Sequence, residues 1–369
     1  MTTAFMRLFP GGSEEAMVIE NAADMVSIRR CTHNARFTGP WSLRMILKRL
    51  SFIAGLLGAS FSLIAAEPAT VRIGTLATGT VHWEVAAMRH GGLDKANGVV
   101  LDVTMLAGPD AGKIALQGGS LDVIATDWIW VARQREKGAD YSFVPYSSHQ
   151  GVLMVKADSA IRTLADLQGK RLGVVGGGLD KNWLLLKGAA QQKYGLDLAA
   201  QAEPVFGAPP LLAQQLKQGR LDALLTYWHF AARLESEGFR RLIDGREVLR
   251  DLGVNSEMAS LGLVFREGWV RRNRAGLEGL LKGMDGAREA LCTSDEAWAT
   301  VAPLSGETRP EVLAALRRGY CEGRITETGA AQAASAEKVY ALLRRFGGAG
   351  FAQGGGGLPP GVFWSAPAR

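Results

Sequence analysis

Four short stretches of this chain combine hydroxyls, carboxylates and indole rings where a strand gives way to a helix. The first is Thr75-Leu-Ala-Thr78-Gly-Thr80-Val-His82-Trp83-Glu84, and the second is Thr126-Asp127-Trp128. The third is Gly176-Gly177-Gly178-Leu-Asp180-Lys181-Asn182-Trp183, and the fourth is Thr226-Tyr227-Trp228-His229. At such a junction Thr or Asp can cap the helix, and free N–H groups of its first turn attract anions or ligand oxygens. Thr78 and Thr80 can cap or donate to a ligand, and the glycines around Gly177 allow close backbone approach. Trp83, Trp128, Trp183, Tyr227 and Trp228, with Glu84, Asp127 and Asp180, have the composition of an aromatic box with carboxylates. Such a box suits a cationic or amine-bearing ligand through cation–π contact and charge pairing. The helix N-termini suit an acidic group, so a zwitterion would use both.

Each of these residues also has a plainer use. Every Trp can pack on its own sheet, and every Thr can merely cap. Asp122 and Asp222, at the starts of strands, read as structural. His82 and His229 with Asp127 could instead hold a metal, but the donors lack tight ligand spacing. The glycine loop does not match a dinucleotide fingerprint: after Gly176 and Gly178 the third glycine belongs at position 181, which is Lys181, and no GxxxxGK[ST] occurs. No nucleophile elbow, HExxH or CxxC is present, so no catalytic group and no cofactor is indicated.

A doubled unit must position these residues. LDVIATDW at 121–128 returns as LDALLTYW at 221–228, and nine of 23 positions are identical between 116–138 and 216–238. Two copies of one strand–helix unit imply two similar lobes. Strands are expected at Val71–Leu76, Val99–Leu106, Leu121–Ala125 and Tyr141–Tyr146, with helices at His82–Gly91, Ala111–Gln117 and Asp127–Lys137. The order restarts with a short helix at Ile161–Gln168. Strands follow at Arg171–Val175, Ala202–Phe206 and Leu221–Leu225, and helices at Asn182–Tyr194, Pro210–Gln218 and Tyr227–Gly238. Strands alternating with helices imply parallel βαβ units in an α/β protein. The apolar runs Gly151–Lys156 and Ser260–Phe265 read as the two crossings between lobes. After Phe265 the chain reads as mainly helical, ending in a Gly/Pro-rich tail at 347–369.

The 369 residues suffice for two lobes with real cores, and 47% hydrophobic with 21% charged content is that of a soluble globular chain. Met45-Ile-Leu-Lys48-Arg49 followed by the uncharged run Leu50–Ala66 has the order of a secretory signal peptide, which implies a periplasmic protein. A transmembrane anchor is the alternative, though the run is short for one. Residues 1–44 then read as a misannotated extension or a long leader. Removal of 1–66 takes away seven Lys/Arg and four Asp/Glu, so the net charge falls from +6 to +3. No basic block remains to suggest nucleic acid. Cys292 and Cys321, with 28 residues between them, remain to form a disulfide or stay as two buried thiols.

Several stretches resemble the exported solute-binding proteins of ABC importers, in the nitrate/sulfonate/taurine and thiamine-pyrimidine group. They are the opening strand with Gly74, Gly92-Leu-Asp-Lys-Ala-Asn-Gly98-Val99, the Gly119-x-Leu121-Asp122-Val phrase, Ser159 to Gly173, and Leu358-Pro-Pro-Gly. The resemblance covers about residues 70–345. It implies a two-lobed type II periplasmic-binding fold with a hinge, and a solute held at the four junctions. Lobe 1 would comprise 67–158 with 258–346, and lobe 2 would comprise 159–257. It further implies a monomer that delivers a small molecule to a membrane permease and its ATPase. The resemblance implies an amine-bearing, sulfonate-like or pyrimidine-like solute; Glu84, Asp127 and Asp180 would repel nitrate, which favours an amine-bearing or aromatic organic one. The alternatives are an enzyme resembling the fungal thiamine-pyrimidine synthase, whose cysteine-rich motif is not found here, and a sensor accessory that presents ligand to a receptor.

Overall fold

The computed structural model describes residues 67–325, 330–347 and 356–365. The expected leader and signal segment, 1–66, lie outside the described residues. Lobe 1 runs β1 (Ala69–Leu76), α1 (Thr80–His90), α2 (Leu93–Ala96), β2 (Val99–Leu106), α3 (Pro109–Gln117), β3 (Val123–Thr126), α4 (Trp128–Glu136) and β4 (Tyr141–Ser147). Lobe 2 runs β5 (Gly151–Lys156), a 3-10 turn at Leu164–Leu167, β6 (Arg171–Val175), α5 (Lys181–Tyr194), α6 (Leu198–Gln201), β7 (Glu203–Gly207), α7 (Pro209–Lys217), β8 (Ala223–Tyr227), α8 (Trp228–Glu235), β9 (Phe239–Asp244) and α9 (Gly245–Asp251). The chain then supplies β10 (Leu261–Arg266), α10 (Glu267–Arg272), α11 (Arg274–Thr293), α12 (Asp295–Val301), α13 (Pro310–Glu322) and α14 (Ala330–Phe346).

The two sheets have orders β2-β1-β3-β10-β4 and β7-β6-β8-β5-β9, which are the same topology position for position. Parallel pairs β1–β2, β1–β3, β6–β7 and β6–β8 follow from the βαβ alternation. The fourth strand of each sheet, β10 or β5, is antiparallel to both neighbours, so the sheets are mixed. This corrects the expected crossings. The apolar runs at 151–156 and 260–265 are central strands, buried on both faces, and the crossings are the polar residues before them. β5 therefore belongs to lobe 2, although the sequence reading extended lobe 1 to residue 158. The crossings run side by side: Ser260 N donates to Ser147 O at 2.7 Å, and Gln150 Nε2 donates to Met258 O at 3.2 Å.

The doubled phrase shows how the lobes are built. Asp122 N donates to Arg72 O at 2.9 Å, and the Asp122 carboxylate accepts from both Arg72 N and Arg72 Nε at 3.0 Å. Asp222 accepts from Arg171 N at 2.8 Å in the second copy. Each aspartate pins the start of its strand to the neighbouring strand, as its place in the sequence suggested. Gly74 and Gly173 leave room beside them for Leu121 and Leu221, which a Cβ would meet at 2.6 and 2.7 Å. Bare backbone at one strand thus seats the leucine that opens the phrase. Ile73, Val123, Leu172 and Leu224 are completely buried, each contributing about 1.5–3 kcal/mol of transfer free energy.

Two C-terminal helices flank the crossings. α14 reaches both lobes: Phe346 fills the space over Gly188 of α5, while Tyr340 donates to Glu136 of α4 at 2.7 Å. α13 lies against α8 and is joined to α11 by the Cys292–Cys321 disulfide. Part of the Gly/Pro-rich tail docks on the first lobe. Phe143 N donates to Val362 O at 2.8 Å and Trp364 N to Phe143 O at 2.9 Å, so Val362–Trp364 add a short bridge to the β4 edge. The apolar Val362-Phe-Trp364, standing after the glycine run, drives this docking.

Candidate functional site: the cleft between the lobes

All four strand–helix junctions lie at the carboxyl ends of strands in the two sheets, where open α/β sheets bind their ligands. The helices that follow begin in two different ways. Asp127 caps α4 by accepting from Trp130 N at 2.8 Å, and Asp180 caps α5 by accepting from Asn182 N at 2.8 Å. α1 and α8 start at Gly79 and Tyr227 with no side-chain cap. In α1 the His82 N–H already bonds Gly79 O at 3.1 Å; the other first-turn N–H groups of the two helices have no side-chain cap, and the helix dipole there favours a negative acceptor.

The charged side of the cleft is acidic. Burial raises the Asp180 carboxyl above the usual aspartate range, and the Asp127 charge adds to that shift against Lys181 and the capping bonds. Burial likewise raises the Tyr227 phenol, with Asp180, Asp127 and Asp110 all pushing it further. Asp127 comes from lobe 1, and Asp180 and Tyr227 from lobe 2, so the acidic field spans the gap. Thr78 is exposed, and Asp127, Gly177, Asp180, Tyr227 and His82 are half-buried.

Other expected contacts lie in the walls. Trp128 is 1% exposed, donates from Nε1 to Ala259 O at 3.0 Å, and packs on Tyr340 and Phe363. Trp183 is buried edge-on to Phe206, and Thr126 and Thr226 are buried at the ends of their strands. The two lobes meet through Trp83, whose ring lies 6.5 Å from Trp228 and 5.7 Å from Trp298, with Tyr320 at 6.1 Å. His229 is buried, and burial holds it neutral, with its pKa lowered to about 3.

Glu84 corrects the expectation of a ligand amine. An aromatic box with a carboxylate does form, from Glu84, Tyr146, Tyr320 and Trp228 beside Trp83, but the cation in it is the protein's own Arg288. The Arg288 guanidinium lies 5.4 Å from the Tyr146 ring centre, and its Nε is 3.7 Å from the Glu84 carboxylate. Tyr320 donates to Glu84, and Thr80 bonds Tyr146 at 3.0 Å. Glu84 is fully buried, which raises its pKa to about 7 against the pull of Arg288. Sequence reasoning missed Tyr146, Arg288 and Tyr320 because they come from three distant elements and carry no motif. It also missed His149, which stacks on Trp228 at 4.4 Å. Its signal was the polar Ser147-Ser-His-Gln150 between two apolar strands. Among the described residues no three His, Cys, Asp or Glu side chains gather as a metal site, so His82, His229 and Asp127 do not form one.

The family model described as NMT1/THI5 like matches residues 82–297, more than half of the chain. The chain belongs to the NMT1/THI5-like family. A curated relative, the putative aliphatic sulfonates-binding protein of Escherichia coli, is 30% identical over 238 residues, covering 62% of this chain and 70% of the relative. Among solved structures, the periplasmic aliphatic sulphonate binding protein of Escherichia coli matches with a TM-score of 0.63 at 22% identity, covering 81% of this chain and 92% of that one. The alkanesulfonate-binding protein of Xanthomonas axonopodis pv. citri, solved bound to MOPS, matches with a TM-score of 0.59 at 22% identity, covering 81% of this chain and 97% of that one. These structures share the two-lobed α/β fold. The span matched by the NMT1/THI5-like model begins at His82, so it holds three of the four junctions complete and both crossings, while Thr78 and Thr80 precede it.

Proposed function

We propose that the chain is the solute-binding component of an ABC importer, and that its solute is a small zwitterion carrying an amine and a sulfonate or carboxylate. The observation that carries this reading is the split among the four junctions. α1 and α8 offer uncapped N-termini to an acid group, while Asp127 and Asp180 hold an acidic field around Tyr227 for an amine. The relation to a sulfonate-binding protein supports an acidic headgroup. In this reading residues 45–66 direct export to the periplasm, the lobes close on the solute by hinge bending, and the closed form docks on a permease with its ATPase. Thr78, Thr80, Gly177, Trp228 and His229 would shape the cleft around the solute.

Thermal-shift and calorimetric titration with an aminoalkanesulfonate, the matching plain alkanesulfonate, an α-amino acid and an aminopyrimidine test the reading. The aminosulfonate is expected to bind tightest, and at one hundred times Kd to stabilise the fold by about 2.7 kcal/mol. Asp127→Asn and Asp180→Asn keep a capping oxygen but remove the charge. Each is expected to weaken the aminosulfonate about tenfold, close to 1.4 kcal/mol, and to spare the plain alkanesulfonate. Equal loss for both sulfonates would remove the amine from the reading. Failure of the whole panel would remove the reading itself.

A further inference from the structure

The C-terminal end of α13 and the residues just after it, 317–324, touch α1, α8, α11 and the first crossing. Tyr320 donates to Glu84 of α1, and Arg317 bonds Leu291 O at 3.0 Å at the end of α11. Gly319 faces the Trp228 ring of α8, which a Cβ would meet at 2.8 Å. The Gly319 carbonyl accepts from His149 in the first crossing, and the Gly323 carbonyl accepts from Ser148 N at 2.9 Å. Ser147 forms a bridge with Arg324. Gly323 lies so close to His149 that a Cβ would overlap the imidazole.

The helical period explains this arrangement. Gly319 and Gly323, four residues apart, share one face and make a shallow seat for the stacked His149 and Trp228 rings. Cys321, two residues from each, lies on the opposite face and is bonded there to Cys292 of α11. Both cysteines are half-buried and so within reach of solvent thiols.

We propose that the Cys292–Cys321 disulfide is a redox-dependent brace for the interlobe hinge, holding the Gly319/Gly323 seat of α13 against the first crossing and against α8. In the reduced chain α13 keeps the packing of Val312, Leu316 and Tyr320 and its hydrogen bonds, but loses its covalent tie to α11, and the seat at its C-terminal end loosens. Reduction by an external dithiol forms the reductant's own disulfide as the Cys292–Cys321 bond takes up two electrons and two protons. This inference does not depend on the identity of the solute or on the proposed transport role.

Native-state hydrogen exchange of the oxidised and the dithiol-reduced protein, with no solute added, tests it. Amides of 147–150 are expected to exchange at least tenfold faster after reduction, while β1 and β6 keep their protection. Gly319→Ala, with the disulfide intact, lifts Trp228 off its seat and is expected to raise exchange at the same residues. Unchanged protection at 147–150 after reduction would overturn the proposal, whatever Gly319→Ala does. A uniform rise across both sheets after reduction would also overturn it, because the disulfide would then act on global stability alone.

Discussion

Trp128 and Trp228 stand at the same place in two copies of one turn, each the first residue of a helix after a short strand, yet their surroundings differ. Trp128 is enclosed by its own lobe and the C-terminal elements, with its indole N–H satisfied by Ala259. Trp228 lies where the lobes meet, between His149 of the crossing and Trp83 of the other lobe. The preceding residues diverge as well: Asp127 caps its helix, whereas Tyr227 leaves the helix start open. The shared Leu, Asp and Thr build the middle strand of each sheet and the turn into it. The difference teaches that the same backbone turn serves as a closed structural corner in one lobe and as a contact between lobes in the other.

The largest effect that would test this contrast is on stability. Trp128→Ala is expected to cost about 3–5 kcal/mol in urea denaturation, the range for emptying a packed aromatic site. Trp228→Ala is expected to cost less and to weaken solute binding by about 0.5–2 kcal/mol, the range for a lost aromatic contact. Equal stability losses would make both turns plain core.

The next effect is pH dependence at the Trp228 side. Glu84 has its pKa raised to about 7 in the fold, above its unfolded value of about 4.5. Its contribution is therefore fully present below about pH 4.5 and is lost as pH rises through about 7, on the order of 3 kcal/mol in all. Glu84→Gln is expected to remove that slope from urea midpoints measured between pH 5 and 8, and a slope that persists in the variant would assign it elsewhere. A smaller difference separates the two aspartates. Asp122, buried and bonded by the Arg72 side chain, is expected to cost about 1.5–3 kcal/mol on replacement by Ala, and the exposed Asp222 only about 1. The smallest is the cap: Asp127→Ala is expected to lose about 1 kcal/mol, while Tyr227→Ala loses no cap at all.

Much of this contrast was legible in the sequence. The repeat fixed the lobes, and the turn residues placed the junctions, because both are local. β9 and α9 were missed since Phe239-Arg-Arg-Leu-Ile-Asp244 is a half-buried edge strand without alternation, although Asp244 and Glu247 do spell a capping box. The burial of Glu84 was not legible, because its partner Tyr320 is 236 residues away. Of the aromatic box read from composition, Trp83, Trp228 and Glu84 gather with Tyr146 and Tyr320 around Arg288, a set that spacing could not show, while Trp128 and Trp183 pack elsewhere. Gly/Pro content set the tail apart, and the apolar Val362-Phe-Trp364 within it carried the signal for its docking.

The exchange of central strands sets an order on the maturation of the chain. Sheet two, from β5 to β9, is made of one unbroken stretch, so it can be completed as soon as residue 244 is available. Sheet one has a vacancy between β3 and β4 until β10 arrives, with residue 266 as its last member. A chain emerging N-terminus first would thus finish its second lobe before its first. In the interval β3 would present an open edge, the kind of surface that invites pairing with a stranger.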